Sequence, residues 1–335
     1  MEGKKEEEQV MSEVHLGCPP GFSGSYVSHF TFSLPSTDMP DERSDDQLKM
    51  EMSSSQEIIL DEDGDLLLTR RKNKNWRYLN YGFTIRHNIT SSLGNVGLQV
   101  WRAALVLTEF IWHKSLTSSD FNDIIALELG AGTGLVGIAL ARVARTVFIT
   151  DRGMEVLDNC GANVQLNSGL LKFHEPSIHI RELDWKEGWP PNLQTCDFSS
   201  QQRTRYSWAS SEIEEAERAT LLLAADVIYS DELTDSLFSI LERLMSRGSE
   251  KVLYLAMEKR YNFSLEELDV VANGYAHFRS FLNGDEEYEG HDDALLPCFV
   301  GELIDLGQIP QYIREYERGK DLEIWKITYC LKRLK

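Results

Sequence analysis

From residue 98 onward, apolar positions recur in two alternating periods. Leu98–His113 carries them at helical spacing. Short, β-rich apolar runs follow at Ile124–Leu129, Thr146–Thr150, Ile178–Leu183, Thr220–Ala225 and Lys251–Met257. Between them lie helical stretches at Leu135–Arg145, Met154–Asn167, Glu232–Ser246 and Leu265–Phe281, the last opening on Ser264-x-x-Glu267, the spacing of a capping box. Strand–helix alternation of this kind builds a parallel sheet covered on both faces. The tail departs from the rhythm: Leu295–Ile304 and Leu322–Leu331 read as two strands without a full helix between them, which predicts an antiparallel hairpin at one edge. Upstream, Tyr26–Leu34 alternates as a short strand, and residues 36–56 are too polar and charged to bury themselves, which predicts a disordered linker. The stretch between the third and fourth runs, roughly residues 186–218, is long enough to be a functional loop or a disordered one.

Composition changes this picture mainly through charge. The 335 residues are 42% apolar, enough for a sizeable core, and carry 54 acids against 34 bases, a net charge of −20. Sixteen of the acids and only four bases fall in the first 65 residues. Such a chain lacks the basic footprint of nucleic-acid binding, so no direct contact with nucleic acid is expected; basic partners are. The acidic turn Asp61–Asp65 and the basic patch Arg70–Arg77 neighbour one another, and pairing within the chain is a simpler reading of them than a partner site. Five scattered cysteines without CxxC spacing argue against a disulfide framework or a zinc site, and the histidines show no metal-ligand spacing, so no metal is expected. The N-terminus has no apolar signal-peptide core and no apolar run approaches ~18 residues, which points to an intracellular, soluble protein without a membrane span. A monomer is expected.

The sharpest chemical signal is Ala126-Leu127-Glu128-Leu129-Gly130-Ala131-Gly132-Thr133-Gly134-Leu135, a strand entering a glycine-rich turn that enters a helix. Glycines let the backbone bend tightly and approach a ligand closely. A dinucleotide turn wants GxGxxG directly after the strand; from Gly130 the third glycine is replaced by Leu135, and the alternative start at Gly132 comes two residues late. The Glu-x-Gly-x-Gly-x-Gly turn that holds S-adenosylmethionine matches in register, acid included. Each of the five runs also ends in a carboxylate: Glu128, Asp151, Asp184, Asp226 and Glu258. In an open α/β sheet the ligand crevice lies beyond those ends, and five acids there suit a sulfonium and an ammonium better than a pyrophosphate. Any one of them could instead merely cap the following helix. Asp151 stands where a carboxylate would take both ribose hydroxyls, and Asp184-Trp185 offers an acid for an adenine amino group beside an aromatic face. The fourth run ends Ala225-Asp226-Val227-Ile228-Tyr229, not the Asn/Asp-Pro-Pro-Tyr/Phe turn of enzymes that methylate exocyclic base amines. Asp226 and Tyr229 could bind an amine and deliver it neutral.

Together with Val100-Trp101-Arg102-Ala103-Ala104-Leu105 and the tail Tyr316-Glu317-Arg318…Leu322-Glu323-Ile324-Trp325, these motifs resemble the seven-β-strand protein lysine methyltransferases of the methyltransferase-like family. The resemblance runs from about residue 56 to the end. It implies a Rossmann-like, class I S-adenosylmethionine-dependent fold: α/β, with a seven-stranded, mostly parallel sheet and an antiparallel C-terminal hairpin. By the same resemblance Trp101, Gly130, Ala131, Gly132, Asp151, Trp185 and Ala225 would line the cofactor, Glu128 and Gly134 would shape its turn, Asp184 would flank the adenine, and Asp226 and Tyr229 would carry the acceptor lysine. A nuclear location and a basic, nucleic-acid-associated protein substrate are further implications. The division expected is an acidic, largely disordered extension over 1–55 holding one short strand, a strand or hairpin segment over 56–97 packed on the core, and a methyltransferase domain over 98–335. Competing expectations are a small-molecule or protein-histidine methyltransferase, a nicotinamide-dependent oxidoreductase, which Leu135 disfavours, and a catalytically silent module that binds the cofactor.

Overall fold

A computed structural model describes residues 9–19, 22, 24–33, 80–171, 177–191, 205–264, 269–283 and 299–330 of the chain. The linker over 36–56 and the charged blocks at 61–77 lie outside the described residues.

Gln9–Met11 (β1) and Ser25–Ser33 (β2) precede Asn80–Asn88 (β3) and Thr90–Ser92 (β4). The strand expected at Tyr26–Leu34 is β2, which pairs antiparallel with β3 along nine residues. Alternation puts Phe30, Phe32, Phe83 and Ile85 on one buried face. They meet Trp112 of the helix Arg102–Thr117 (α1), with Phe32 and Trp112 ring centroids 4.5 Å apart. This hairpin is therefore part of the main core.

The alternating runs become Ile125–Leu129 (β5), Leu135–Leu140 (α2), Thr146–Asp151 (β6), Met154–Leu166 (α3) and Ser177–Glu182 (β7). They continue as Ser210–Ala216 (α4), Leu221–Ala225 (β8), Asp231–Met245 (α5) and Val252–Glu258 (β9). A small hairpin, Asn262–Ser264 (β10) with Asp269–Val271 (β11), leads to Asn273–Ser280 (α6), Leu282–Asn283 (β12), Phe299–Leu303 (β13) and Leu322–Tyr329 (β14). The sheet order is β12-β13-β14-β9-β8-β5-β6-β7; β12 contributes two residues, leaving seven strands of ordinary length. β7, β6, β5, β8 and β9 run parallel, while β14 lies antiparallel between β9 and β13. The predicted mostly parallel sheet and C-terminal hairpin are both present. The hairpin's returning strand is interior rather than at the edge.

The period of two sends alternate residues of each strand to different cores. Val147 and Ile149 join α1, α2 and the β2–β3 hairpin, and Phe148 joins α4 and α5 on the opposite face. The stretch expected as a loop over 186–218 is packed rather than open where it is described. Trp189, Tyr206 and Trp208 are buried, and Trp208 Nε1 donates to the Glu182 carbonyl at 2.8 Å. The helix expected at Leu265–Phe281 is shorter: Ser264 ends β10, and α6 begins only at Asn273. The tail motif Tyr316-Glu317-Arg318 serves packing. The buried Glu109 carboxylate of α1 accepts the Tyr312 and Ile313 amides at 2.7 Å each and pairs with Arg318 at 2.7 Å.

Candidate active site

The sheet changes direction of winding between β5 and β8, and the glycine turn sits at that switch point, where open α/β sheets leave a crevice. Gly130, Gly132 and Gly134 all take left-handed backbone, with φ of 65°, 54° and 78°. Two of these positions also exclude a side chain by contact. A Cβ on Gly130 would stand 2.8 Å from Val227 Cγ1, and one on Gly134 would stand 2.5 Å from Cys160 Sγ.

Two carboxylates hold this turn. Asp151, at the end of β6, accepts the Gly132 amide on Oδ2 and the Arg152 amide on Oδ1, both at 2.6 Å. Glu128 Oε2 accepts the Gly137 amide at 2.9 Å, tying β5 to the first turn of α2. Burial pushes the Glu128 carboxyl up to about 8, against the Gly137 amide. Burial also raises Asp151, opposed by its two amides and by the Arg152 guanidinium.

Beyond the turn lies a cavity of about 490 Å³. Glu128, Gly130, Ala131, Gly132 and Asp151 form one side of its lining, and Asp184, Trp185, Ala225, Asp226, Tyr229 and Trp101 also line it. Of the residues expected to hold the cofactor or the acceptor, Gly134 alone does not line the cavity; it starts α2 and packs on Cys160. The fifth strand-end acid turns away as well: Glu258 pairs with Arg102 at 2.6 Å. Asp184 does both jobs proposed for such acids, lining the cavity while Oδ1 accepts the Lys186 amide at 3.0 Å.

One wall was not legible in the sequence. The segment Leu93–Leu98 packs so tightly on the glycine turn that a Cβ on Gly97 would stand 3.4 Å from the Gly132 Cα. Gln99 follows it, lining the cavity and almost wholly buried. Its Nε2 donates to the Val10 carbonyl at 2.7 Å and to the Ile89 carbonyl at 2.9 Å, and Ser12 Oγ donates to the Val100 carbonyl at 2.5 Å. Gln99 Oε1 has no partner among the described residues. Trp101 Nε1 donates to the Val96 carbonyl at 3.1 Å, so the indole is fixed by this same segment. Gly97, where a Cβ would also meet Val156 Cγ1 at 2.8 Å, was the signal available.

At the other end, Asp226 takes φ of 56°, a conformation uncommon for a side-chain-bearing residue and enriched at functional sites. Its amide donates to the Ala256 carbonyl of β9 at 2.9 Å, and its buried Oδ2 accepts from Arg260 at 2.5 Å. Burial raises the Asp226 carboxyl and Arg260 opposes the shift. Tyr229, 46% exposed, stands at the mouth.

The polar side chains of the lining are mostly acceptors: the Asp151, Asp184 and Asp226 carboxylates, the Glu128 carboxyl and the orphaned Gln99 oxygen, with Arg152 the one basic side chain among them. A ligand that supplies donors and positive charge fits it, and a pyrophosphate does not. S-adenosylmethionine, with a sulfonium, an ammonium, ribose hydroxyls and an adenine amino group, has that donor set.

Residues 83–200 match the family model described as lysine methyltransferase. Human methyltransferase-like protein 22 is 39% identical over 245 residues, covering 72% of this chain and 56% of that protein. The Mus musculus methyltransferase-like protein 22 is 34% identical over 343 residues, covering 92% of this chain and 80% of that protein. Protein N-lysine methyltransferase METTL21A of Mus musculus is 33% identical over 166 residues, covering 50% of this chain and 62% of that protein. The chain thus spans little more than half the length of its human relative.

Proposed function

This chain belongs to the methyltransferase-like family of lysine methyltransferases, and from that premise we propose that it transfers a methyl group from S-adenosylmethionine to a lysine ε-amine of a protein. The observation that carries the reading is the joining, in one cavity, of the glycine turn and Asp151 at one end with Asp226 and Tyr229 at the other.

The cofactor supplies an electrophilic methyl group on a sulfonium. Asp151 has lone pairs left for ribose hydroxyls after its two amide bonds, Asp184 and Trp185 would hold the adenine, and the backbone at Gly130–Gly132 leaves room for the ligand to lie close. Gln99 Oε1 would take a donor of the cofactor. Asp226 receives the lysine, whose proton must leave before the amine can attack, since free lysine titrates near ~10.4. Trp101 and Val227 exclude water from that end, which favours the neutral amine.

The reading extends to a basic protein substrate, met in the nucleus by a monomeric enzyme. The net charge of −20 supports the basic partner through electrostatic attraction. The test is incubation of purified protein with methyl-labelled S-adenosylmethionine and a methyl-depleted nuclear extract, beside Asp226→Ala. Label recovered as methyllysine in a discrete protein, and lost in the variant, is expected. Label in small metabolites or as methylhistidine would move the activity to another acceptor. No label, with cofactor binding intact, would leave a silent binding module. Cell fractionation and light scattering check the compartment and the oligomeric state.

A further inference from the structure

Arg260 closes the acceptor end of the cavity. It follows β9, and its guanidinium carbon lies 4.8 Å from the Trp101 ring centroid while Nη2 donates to Asp226 Oδ2 at 2.5 Å. Trp101 and Asp226 line the cavity; Arg260 spans the two of them without lining it. An aromatic face opposed by a buried carboxylate is the general arrangement that holds an organic cation. The carboxylate here is 3% exposed, whereas the arginine side chain is 40% exposed, so solvent reaches the arginine side of the pair. Its neighbour Arg102 is held differently, between Glu258 and Glu13.

We infer that Trp101 and Asp226 form the subsite for the cationic head of the acceptor lysine, and that Arg260 holds this subsite until the substrate displaces it. The identity of the incoming cation rests on the lysine methyltransferase reading above. An arginine suits the role because its nitrogen lone pairs are delocalised over the planar guanidinium, which makes it a poorer nucleophile toward a methyl donor than a neutral lysine amine. Occupation in cis also sets a threshold. A lysine binds with its intrinsic dissociation constant divided by the fraction of molecules whose subsite is vacant, so weakly held cations are turned away.

The first test needs neither cofactor nor turnover. Cofactor-free protein is titrated with n-butylammonium chloride, the head of a lysine side chain, by ligand-observed NMR. Arg260→Ala is expected to bind it at least about fivefold more tightly than wild type. Adding Asp226→Asn to that variant is expected to remove the gain. Equal binding by wild type and Arg260→Ala, or a gain that survives Asp226→Asn, would overturn the inference.

A second arm separates it from the proposed function. Arg260→Lys, incubated with S-adenosylmethionine, is expected to gain a methyl group at residue 260 by peptide mass mapping. The amine lone pair forms the new N–C bond, the S–C bond breaks with its electron pair remaining on sulfur as a thioether, and the amine proton passes to solvent. If wild type labels extract proteins while neither the methylation at 260 nor the butylammonium gain is seen, the placeholder is wrong and the activity stands. If the butylammonium gain appears and no protein is ever labelled, the lysine methyltransferase reading falls and takes the acceptor assignment with it.

Discussion

Asn163 pairs with Arg86 as one strand pairs with another: its Oδ1 accepts the Arg86 amide at 2.7 Å and its Nδ2 donates to the Arg86 carbonyl at 3.0 Å. Asn167 repeats the pattern one helical turn on, its Oδ1 accepting the Thr84 amide at 3.0 Å and its Nδ2 donating to the Thr84 carbonyl at 2.7 Å. Asn159, one turn earlier, donates to the Arg86 carbonyl at 3.1 Å and accepts from Arg86 Nε at 2.7 Å. The three asparagines lie four apart along one face of α3 and its C-cap, Asn167, and offer amides to the open edge of β3. Asn163 Nδ2 also reaches the Thr133 carbonyl at 3.0 Å, so the ladder joins the N-terminal hairpin to the glycine turn.

Asn163→Leu is accordingly expected to destabilise the fold by about 2–4 kcal/mol, because the Arg86 amide and the Thr133 carbonyl lose a partner in a buried setting. Asn159→Ala should cost less, since Asn163 continues to serve the Arg86 carbonyl. Urea unfolding measures both. A cost for Asn163→Leu no larger than that of Asn159→Ala would show that the ladder does not anchor the hairpin.

Glu128 predicts a pH dependence of stability. Burial holds its carboxyl at about 8 in the folded protein against an ordinary value of 4.5, so the folded protein holds one more proton than the unfolded chain between those values. Stability from this group is therefore greatest below about 4.5, declines as pH rises toward 8, and is level above it. The loss is on the order of 4 kcal/mol. Glu128→Gln keeps an acceptor for the Gly137 amide without the ionisation. Thermal melts from pH 5 to 8.5 should show wild type losing ground to the variant across that window; parallel curves would contradict the raised carboxyl.

Gly134→Ala combines two costs. The left-handed backbone disfavours alanine by about 1–2 kcal/mol, and the new methyl meets Cys160 Sγ. In the Gly134→Ala/Cys160→Ala double variant the steric part should vanish and the backbone part remain. Chemical unfolding of the four proteins gives the coupling directly; strict additivity would mean that the sulfur is not the obstacle.

Asp151→Asn should weaken S-adenosylhomocysteine binding at least tenfold, about 1.4 kcal/mol, because its new NH₂ faces the Gly132 or Arg152 amide and disturbs the turn as well as the ribose contact. Asp184→Asn should cost less. Titration calorimetry decides, and an unchanged affinity for Asp151→Asn would remove that residue from the cofactor site.

The glycine turn and the strand-end acids were readable because their chemistry is local. A tight turn needs residues without Cβ, and an acid at a strand's end points into the crevice wherever the fold is doubly wound. Glu258 shows the limit of that argument, since a basic neighbour on α1, far away in sequence, claims it instead. The capping-box spacing at Ser264-x-x-Glu267 misled for a similar reason: serine begins turns as readily as helices, and here it closes a strand. The Leu93–Gln99 wall carries no chemistry that a sequence advertises, and the asparagine ladder acquires meaning only once a strand lies against it. Arg260, which carries no motif of its own, acquires a role only where the fold sets it between Trp101 and Asp226.

The brace formed by Ser12, Val10 and Gln99 makes the cavity answerable to a stretch of chain that never meets its contents. Descendants of a common ancestor could keep every residue of the glycine turn and still drift apart in what they bind, by rewriting an upstream strand. For this architecture, specificity can change through Val10 and Ser12 while the chemistry stays fixed.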